Sequence, residues 1–439
     1  MTTTQSNDRL HLRKKVLFER LGYKPHAGQI QVHRSRAPRR VLACGVRWGK
    51  TLCAAMEGLA AAMQPAERST GWVVAPTYDL ADRVFRELQV HAVTHLRHRI
   101  EVVRDSDRRL VIRNLGGGLS EVRAKSADNP VSLLGEGLDW LIVDEASRLK
   151  PAIWQSHLSQ RLIDKRGWAL LISTPRGKGW LFDLFQRGRQ GDPEYASWNM
   201  PSWTNPMLDA ELIEAERERL PERVFRQEYG AEFIEGAGSV FRNVRECATG
   251  DFEEPRQDTI YYGGLDLAKI QDFTVVVFVT RDRRVVFLDR FNQVDWSVQV
   301  QRVRAAQERY RGALVLVDSS GAGEPVFENL RHAGCNVEGY PLTMRSKAAL
   351  IDNLALLLEQ RKLVLPKPEL APHLIDELEA FEFSVSEAGN VRSGAPGGMH
   401  DDCVIGLALA AWQVREDAFI KPRIGIMRRR GGPIRWAGG

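Results

Sequence analysis

The feature that most constrains the fold is an apolar run that leads into a loop ending in Gly-Lys-Thr. Residues 41–51 read VLACGVRWGKT, and a helical pattern follows from Leu52. A strand, a glycine-containing loop and a helix in this order are typical of a P-loop, where backbone N–H groups bind phosphate oxygens. We expect Lys50 to reach the β- and γ-phosphates of a nucleotide and the Thr51 hydroxyl to bind Mg²⁺.

The loop departs from the usual P-loop pattern at one position. Its first glycine position is Cys44, and a glycine is displaced to Gly45, while Gly49 directly precedes the lysine. Arg47 lies inside the loop, where its guanidinium would stabilise transition-state charge in cis. Gln29, upstream of the loop, is a candidate for hydrogen bonding to an adenine edge. The alternative for this residue is an ordinary exposed glutamine.

Two later segments supply the other groups that a nucleotide triphosphatase needs. Residues 138–146 read LDWLIVDEA, an apolar strand that ends in Asp144 and Glu145. We expect Asp144 to hold Mg²⁺ through water and Glu145 to orient the attacking water as a base. Residues 170–175 read LLISTP, and the hydroxyls of Ser173 and Thr174 would sense the γ-phosphate. The alternative for this third segment is a strand-terminating turn.

The spacing of apolar runs predicts two α/β domains. Strands alternate with helical patterns through the first half, which indicates a P-loop NTPase fold with a mostly parallel sheet and helices on both faces. The predicted strands lie at 41–44, 72–75, 110–112, 140–143 and 169–172. We predict a P-loop ATPase domain at 1–235 with a helical subdomain near 205–235, a linker at 236–258, a second domain at 259–417 and a basic tail at 418–439.

The second domain has a different order of elements. Three strands in a meander, at 260–267, 274–280 and 284–291, precede a helix, another strand and further α/β structure. This order, which ends in an apolar helix that begins with acids, is the RNase H-like topology. A glycine-rich segment at 383–400 is predicted to form a hairpin beside the site, as a gate or a DNA-contacting loop.

Carboxylates occur on core elements of this second domain. Asp266 lies within the first strand, Asp318 ends another apolar strand, and Asp401 and Asp402 open the late helix. Acids on buried elements usually have partners or a metal, because an unpaired buried carboxylate costs several kcal/mol. Acids in these places would hold two Mg²⁺ or Mn²⁺ about 4 Å apart for phosphodiester hydrolysis. For Asp401 and Asp402 the alternative is a helix cap, and helical spacing does not separate the two as ligands.

Composition narrows the partners and the compartment. The chain has 439 residues and a formal net charge of +6. Residues 418–439 contain six basic and no acidic residues, so the tail either reaches an anionic partner or is merely solvated. Five cysteines without CxxC spacing argue against disulfides and structural zinc and predict a reducing cytosol. No apolar run is long enough to cross a membrane, and residues 1–15 show no secretory signal.

Taken in order, the motifs GVRWGKT, LIVDEA, ISTP, LDLA, LVDSSG and HDD resemble the large terminase subunit of tailed bacteriophages. The resemblance extends from about residue 20 to 415. It implies an ATPase that moves double-stranded DNA into a procapsid and an RNase H-like endonuclease that cuts concatemeric genomes. By position, it implies that Lys50, Thr51 and Asp144 bind Mg·ATP and that Glu145 is the catalytic carboxylate. Ser173 and Thr174 would form the coupling motif, and Gln29 would contact the adenine. The nuclease acids would be Asp266, Asp318 and Asp402. Asp401 would be the alternative or a fourth ligand.

The resemblance also implies partners. The motors of this family act as homo-oligomeric rings, usually pentamers, on a portal protein in the host cytoplasm, together with a small terminase subunit. An arginine from one subunit reaches the ATP of its neighbour, and Arg123 and Arg148 are both candidates. The alternative function is that of an ATP-dependent helicase or repair nuclease. Such a protein would carry further helicase motifs after residue 175, and none is recognised there. The intact catalytic motifs argue against a further hypothesis, that the chain is a non-enzymatic DNA-binding assembly protein.

Overall fold

The fold consists of two compact units. The computed structural model describes residues 14–234, 239–267, 273–292, 294–320, 324–385, 391–395 and 400–415. One unit comprises Met1–Val240 with Phe381–Gly394, and the other comprises Phe241–Ala380 with Ala395–Gly439. The predicted basic tail at 418–439 lies outside the described residues, and the predicted domain boundaries stay predictions. Within the described residues, no helix combines the length and the apolar character needed to span a membrane.

The first unit is built on a sheet that has eight strands within the described residues. The strands are β1 Arg39–Cys44, β2 Arg68–Ala75, β3 Ile100–Arg104, β4 Arg109–Arg113, β5 Leu119–Ser126, β6 Trp140–Val143, β7 Trp168–Ser173 and β8 Tyr195–Met200. They lie in the order β3-β4-β5-β2-β6-β7-β1-β8. All neighbours from β5 to β8 pair in parallel, whereas β3 with β4 and β4 with β5 are antiparallel. The predicted mostly parallel sheet is therefore confirmed. The structure adds an antiparallel edge and three strands that the sequence did not predict, β3, β5 and β8.

Helices cover this sheet on both faces. They are α1 Ala27–Arg34, α2 Lys50–Ala62, α3 Tyr78–Leu96, α4 Trp180–Arg189, α5 Ala210–Arg219 and α6 Glu222–Glu228, and residues 14–20 are also helical. Every residue of α2 from Cys53 to Ala62 is buried, because its small alanine side chains allow close packing between the sheet and α3. The opposite face of the sheet packs against α4 through Leu181 and Phe185.

The second unit has a sheet of five strands among its described residues. The strands of this unit are β9 Ala248–Gly250, β10 Tyr261–Asp266, β11 Thr274–Thr280, β12 Val285–Phe291, β13 Leu314–Asp318, β14 Val337–Tyr340 and β15 Leu365–Pro366. Of these, β9 and β15 pair with each other and do not belong to the five-stranded sheet. Its helices are α7 Val244–Cys247, α8 Trp296–Arg309, α9 Glu324–His332, α10 Met344–Glu359, α11 Pro372–Ala380 and α12 Asp402–Gln413. The order β12-β11-β10-β13-β14, with the first three antiparallel and the rest parallel, agrees with the predicted RNase H-like meander.

Two segments differ from the simple domain scheme of the sequence. Within the predicted linker at 236–258, α7 and β9 are regular structure, and β9 pairs in parallel with β15. The predicted hairpin is present as β16 Glu382–Val385 and β17 Val391–Gly394, which pair antiparallel and group with the first unit. Residues 244–250 of the predicted linker are therefore regular secondary structure.

Close backbone packing between β10 and α12 fixes the position of the predicted nuclease acids. A Cβ atom on Gly264 would lie 2.0 Å from the carbonyl oxygen of Gly406 and 2.5 Å from the amide nitrogen of Ala410. Only glycine at 264 therefore permits the helix to lie directly on the strand. Since Asp266 follows two residues later on β10 and Asp402 begins α12, this contact sets their separation.

Gly264→Ala should destabilise the second unit, because the added methyl group meets backbone atoms that cannot rotate away. We expect a loss of about 1–3 kcal/mol or more in the free energy of unfolding, seen as a lower transition temperature in calorimetry. Gly179→Ala is the matched control, since no atom lies within 4 Å of its added Cβ and its φ is not in the left-handed region. That variant should stay within about 0.5 kcal/mol of the parent. Equal effects of the two substitutions would contradict the packing argument.

Candidate active sites

Three parallel strands bring the nucleotide-site residues of the first unit to one edge of the sheet. β7 lies between β1 and β6, with Ala43 opposite Ser173 and Val143 opposite Leu171. The loop after β1, the acids after β6 and the hydroxyls that end β7 are therefore neighbours. In parallel sheets this carboxyl edge is where ligands bind.

The phosphate-binding loop is shaped by its two glycines. Gly49 has φ of 97°, in the left-handed region, and it is the N-cap of α2, which begins at Lys50 with Thr51 as its second residue. A Cβ on Gly45 would lie 2.3 Å from Ser202 Oγ and 2.5 Å from the carbonyl oxygen of Tyr229. The displaced glycine therefore has a packing reason, because the loop is pressed against the chain that follows β8.

Gln29 is buried and contacts the loop. The residue is 3% exposed, so the alternative of an ordinary exposed glutamine is wrong. The Nε2 group donates to the carbonyl oxygen of Gly49 at 3.2 Å, and Oε1 accepts from the N–H of His26 at 3.1 Å. A ring nitrogen of His26 lies 3.2 Å from the carbonyl oxygen of Trp48. The first turn of α1 is thus hydrogen-bonded to two consecutive loop carbonyls.

Lys50 faces the end of β7. Its Nζ lies 3.4 Å from Thr174 Oγ1, so the coupling-motif residue and the loop lysine are in direct contact. Ser173 is fully buried, and its Oγ accepts from the N–H of Ser147 at 3.2 Å. Ser147, which follows the acid pair on the chain, therefore joins β6 to β7 at the site. Nothing in the local sequence pattern predicted this role.

The acid pair is held in a restricted geometry. Asp144 is 2% exposed, and its Oδ1 accepts from the N–H of Glu145 at 2.8 Å. Glu145 has φ of 49°, a left-handed conformation that costs free energy for a non-glycine residue and often occurs at functional sites. Burial, and then the neighbouring Glu145, raise the pKa of Asp144 to about 6, against the effect of Lys50. A cation at this carboxylate would relieve both unfavourable effects.

The three arginines singled out in the sequence lie in different settings. Arg47 is exposed, with φ of 60°, and its carbonyl oxygen accepts from Asn205 Nδ2 at 3.0 Å. Arg123 is ion-paired with Glu121 on β5. Arg148 lies 3.3 Å from Glu145 Oε2, measured from its Nε atom. Arg148 is therefore the candidate that reaches the nucleotide site of its own chain.

The second unit brings together the four predicted acids. β10 and β13 are parallel, with Leu265 opposite Val317, so Asp266 and Asp318 end neighbouring strands. Burial raises the pKa of Asp266 well above its usual value, and Asp402, Asp318 and Asp401 raise it further, while Lys347 acts in the opposite direction. The carboxylates are therefore close enough to repel one another.

The two helix-terminal acids have different partners. Asp402 Oδ2 accepts from the N–H of Phe273 at 3.0 Å, and a ring nitrogen of His400 lies 3.6 Å away. Asp401 Oδ2 accepts from Lys347 Nζ at 2.9 Å. Asp401 occupies the N-cap position without a side-chain capping hydrogen bond, so the alternative of a helix cap is not supported for this residue.

The donor set fits hard divalent cations, which prefer carboxylate oxygens. Burial and the neighbouring carboxylates raise the pKa of Asp266 despite Lys347, so a bound cation would be favourable there. In the part of the chain that the structure describes, no three His, Cys, Asp or Glu side chains are arranged as they stand to hold a metal ion. The acids therefore lie at the ends of neighbouring elements without forming a ready-made three-ligand group among the described residues.

Comparisons with known proteins show the family of the chain. The model "Terminase large subunit, T4likevirus-type, N-terminal" matches residues 41–246. The large terminase subunit of Thermus virus P23-45 is 35% identical over 434 residues, which covers 90% of this chain and 88% of that protein. The large terminase subunit of Thermus phage G20c is 35% identical over 431 residues, with the same two coverages.

A solved structure extends the likeness to the fold of both units. The large terminase from a thermophilic bacteriophage matches with a TM-score of 0.56 at 13% identity, over 85% of this chain and 93% of that one. The family model and the relatives above support a packaging motor with ATPase and metal-dependent nuclease activity, and the helicase alternative receives no support. The chain therefore belongs to the terminase large subunit family, as the order of its motifs predicted.

Proposed function

We propose that Lys50, Thr51 and Asp144 bind Mg·ATP and that Glu145 orients the attacking water. The observation that carries this assignment is the convergence of β1, β6 and β7, which brings Lys50 to Thr174 and places the acid pair beside them. A bound Mg²⁺ would neutralise charge on the phosphates and on Asp144. Glu145, whose contact with Arg148 is 3.3 Å, is then the carboxylate that accepts a proton from water.

Other loop residues have supporting roles in this proposal. Gln29 contacts the adenine base while it holds Gly49, and Gly45 and Gly49 allow the close packing and the left-handed turn that shape the loop. Arg47 is exposed on the loop and can reach a phosphate by side-chain rotation. Ser173 and Thr174 couple hydrolysis to motion, supported by the contact of Thr174 with Lys50.

The nuclease proposal rests on the acid cluster of the second unit. Asp266, Asp318 and Asp402 bind two Mg²⁺ or Mn²⁺, which activate water and stabilise the leaving oxygen. Asp402 is favoured over Asp401 as the main ligand, because Asp401 is already ion-paired with Lys347. Asp401 remains a fourth, weaker ligand.

The partners follow from the family. The substrate is double-stranded DNA, and we propose a homo-oligomeric ring, a pentamer, that acts on a portal protein and procapsid with a small terminase subunit in the host cytoplasm. Arg148 and Arg123 remain candidates for the arginine that reaches a neighbouring subunit. The tail at 418–439, with its six positive charges, binds DNA phosphates or the portal.

Glu145→Gln should trap ATP. Binding persists because Asp144 is intact, but the turnover rate should fall about a hundredfold or more without the general base. Steady-state ATPase assays and equilibrium nucleotide binding measure the two quantities. Lys50→Ala is the comparison, since it should abolish turnover through lost phosphate contacts. Weaker ATP binding with normal turnover in the glutamine variant would exchange the roles of the two acids.

Asp266→Asn and Asp318→Asn should each eliminate metal-dependent cutting of plasmid DNA, because one lost carboxylate leaves a metal underligated. Asp401→Asn should have a smaller effect than Asp402→Asn, since Lys347 already neutralises Asp401. All four variants should keep the ATPase rate of the parent, because that site lies in the first unit, and the melting transition of each variant serves as the control for folding. Cutting by either of the first two variants would refute the two-metal site.

Asp144→Asn should raise the stability of the metal-free protein while it weakens binding of Mg·ATP. A carboxyl whose folded pKa is raised to about 6 destabilises the fold once the pH exceeds its unfolded value near 4. The gain should therefore grow from pH 4 to pH 6 and level off at up to about 3 kcal/mol. Thermal melts across this range, without nucleotide, measure it. A variant that is less stable than the parent at pH 7 would contradict the stated cause.

A further inference from the structure

A buried ion cluster lies behind the phosphate-binding loop. Glu57, on α2 two turns beyond Lys50, is 1% exposed and accepts hydrogen bonds from three side chains on three different elements. Lys14 Nζ lies 2.8 Å away, His33 Nδ1 lies 2.7 Å away, and Arg40 Nη1 lies 2.5 Å away. We call these four residues, Lys14, His33, Arg40 and Glu57, the Glu57 cluster.

The charges of the cluster favour a fixed arrangement. Burial acts to raise the pKa of Glu57, but Lys14, Arg40 and His33 together lower it well below its usual range. Burial lowers the pKa of His33, whereas the hydrogen bond and charge of Glu57 act to raise it. Its Nδ1–H donates to Glu57, because a carboxylate only accepts, and its Nε2 lies 3.0 Å from the hydroxyl oxygen of Tyr23. An ionised, fully bonded carboxylate at this depth permits few other packings.

The cluster is joined to the nucleotide site through α1. His33 and Gln29 are four residues apart on α1 and therefore lie on the same face of the helix. At one end of this face Gln29 donates to the carbonyl oxygen of Gly49, and at the other His33 donates to Glu57. Lys14 adds a second hold, since its Nζ also donates to the carbonyl oxygen of His33 at 3.1 Å.

Helix α1 needs tertiary contacts to stay in the position from which Gln29 reaches the loop. α1 has only eight residues, and helices of that length are marginal without tertiary contacts. Among the described residues, His33 makes the polar contacts between α1 and the body of α2. It donates to Glu57, and its Nε2 lies 3.9 Å from Cys53 Sγ. Glu57 is about 10 Å along the helix axis from Lys50, so it does not touch nucleotide itself.

We propose that the Glu57 cluster is a positioning device that clamps α1 to α2, so that Gln29 and His26 hold the phosphate-binding loop in its ATP-binding form. Glu57 and His33 are thus positioning residues for ATP binding and not catalytic residues. The inference rests on the proposed nucleotide site. It predicts that a loosened clamp changes the binding of ATP more than the chemical step.

Glu57→Gln and His33→Gln, each in the full-length chain, test the proposal. The first removes the charge that three donors require, and the second breaks the link from α1 to Glu57. We expect each to raise the KM for ATP about tenfold or more, since small displacements of binding groups have large effects. The kcat should change by less than about threefold, because groups that bind substrate and transition state equally affect KM alone.

Asp82→Asn is the matched control. Asp82 is a largely buried carboxylate on α3, paired with Arg108 at 2.7 Å, and it has no hydrogen bond to α1 or the loop among the described contacts. It should lower the melting temperature without any change in KM. If Glu57→Gln does not fold, His33→Gln decides the matter alone.

Folded variants with the parental KM and only a lower melting temperature would overturn the positioning role. A lower kcat with the KM of the parent, in both Glu57→Gln and His33→Gln, would overturn the positioning role as well. Lys50→Ala separates this result from failure of the nucleotide site. If that variant still hydrolyses ATP, the site assignment fails, and if it is inactive while the KM of the cluster variants is unchanged, only the present inference fails.

Discussion

Parallel strands end together at one edge of a sheet, so residues far apart in the sequence meet there. In the first unit this edge joins the loop after β1 to the acids after β6, and in the second it joins Asp266 to Asp318. The same placement removes carboxylates from water. The pKa of Asp144 rises to about 6 and that of Asp266 rises well above its usual value, with burial the first cause in both. Each site therefore has unfavourable electrostatics that a cation relieves.

The sequence predicted the strands whose apolar residues run without interruption. β1, β6 and β7 are of this kind, and their buried patterns have almost no gaps. β5 was missed because it alternates strictly between buried and half-exposed residues, a pattern that a search for continuous apolar runs overlooks. β8 was missed because its residues are mostly half-exposed, and only pairing with β1 makes it a strand. Tertiary context, and not propensity, decides such edge strands.

The candidate site acids and the loop lysine could be located from the sequence, because they stand at or near the ends of apolar elements and have no packing role. The groups that support them could not. The Phe273 N–H that binds Asp402 is a backbone group, and any residue type except proline carries one. Ser147 joins two strands that are adjacent only in the folded sheet. Glu57 stands in an alanine-rich helix, where a single glutamate would ordinarily be read as a solvent-exposed residue, and its partners follow no local spacing.

Comparison of Glu57 with Asp266 shows how the chain separates structural from functional carboxylates. Burial acts on both groups in the same direction, toward a higher pKa. Around Glu57 the chain itself supplies Lys14 and Arg40, and the pKa falls well below its usual range. Around Asp266 the neighbours are three further carboxylates, with Lys347 as the opposing charge, and the pKa rises. A compensated carboxylate has no electrostatic need for a ligand and can fix helices in place. An uncompensated cluster keeps its affinity for cations, and this difference in charge, not in depth, is the reason to propose positioning for Glu57 and metal binding for Asp266.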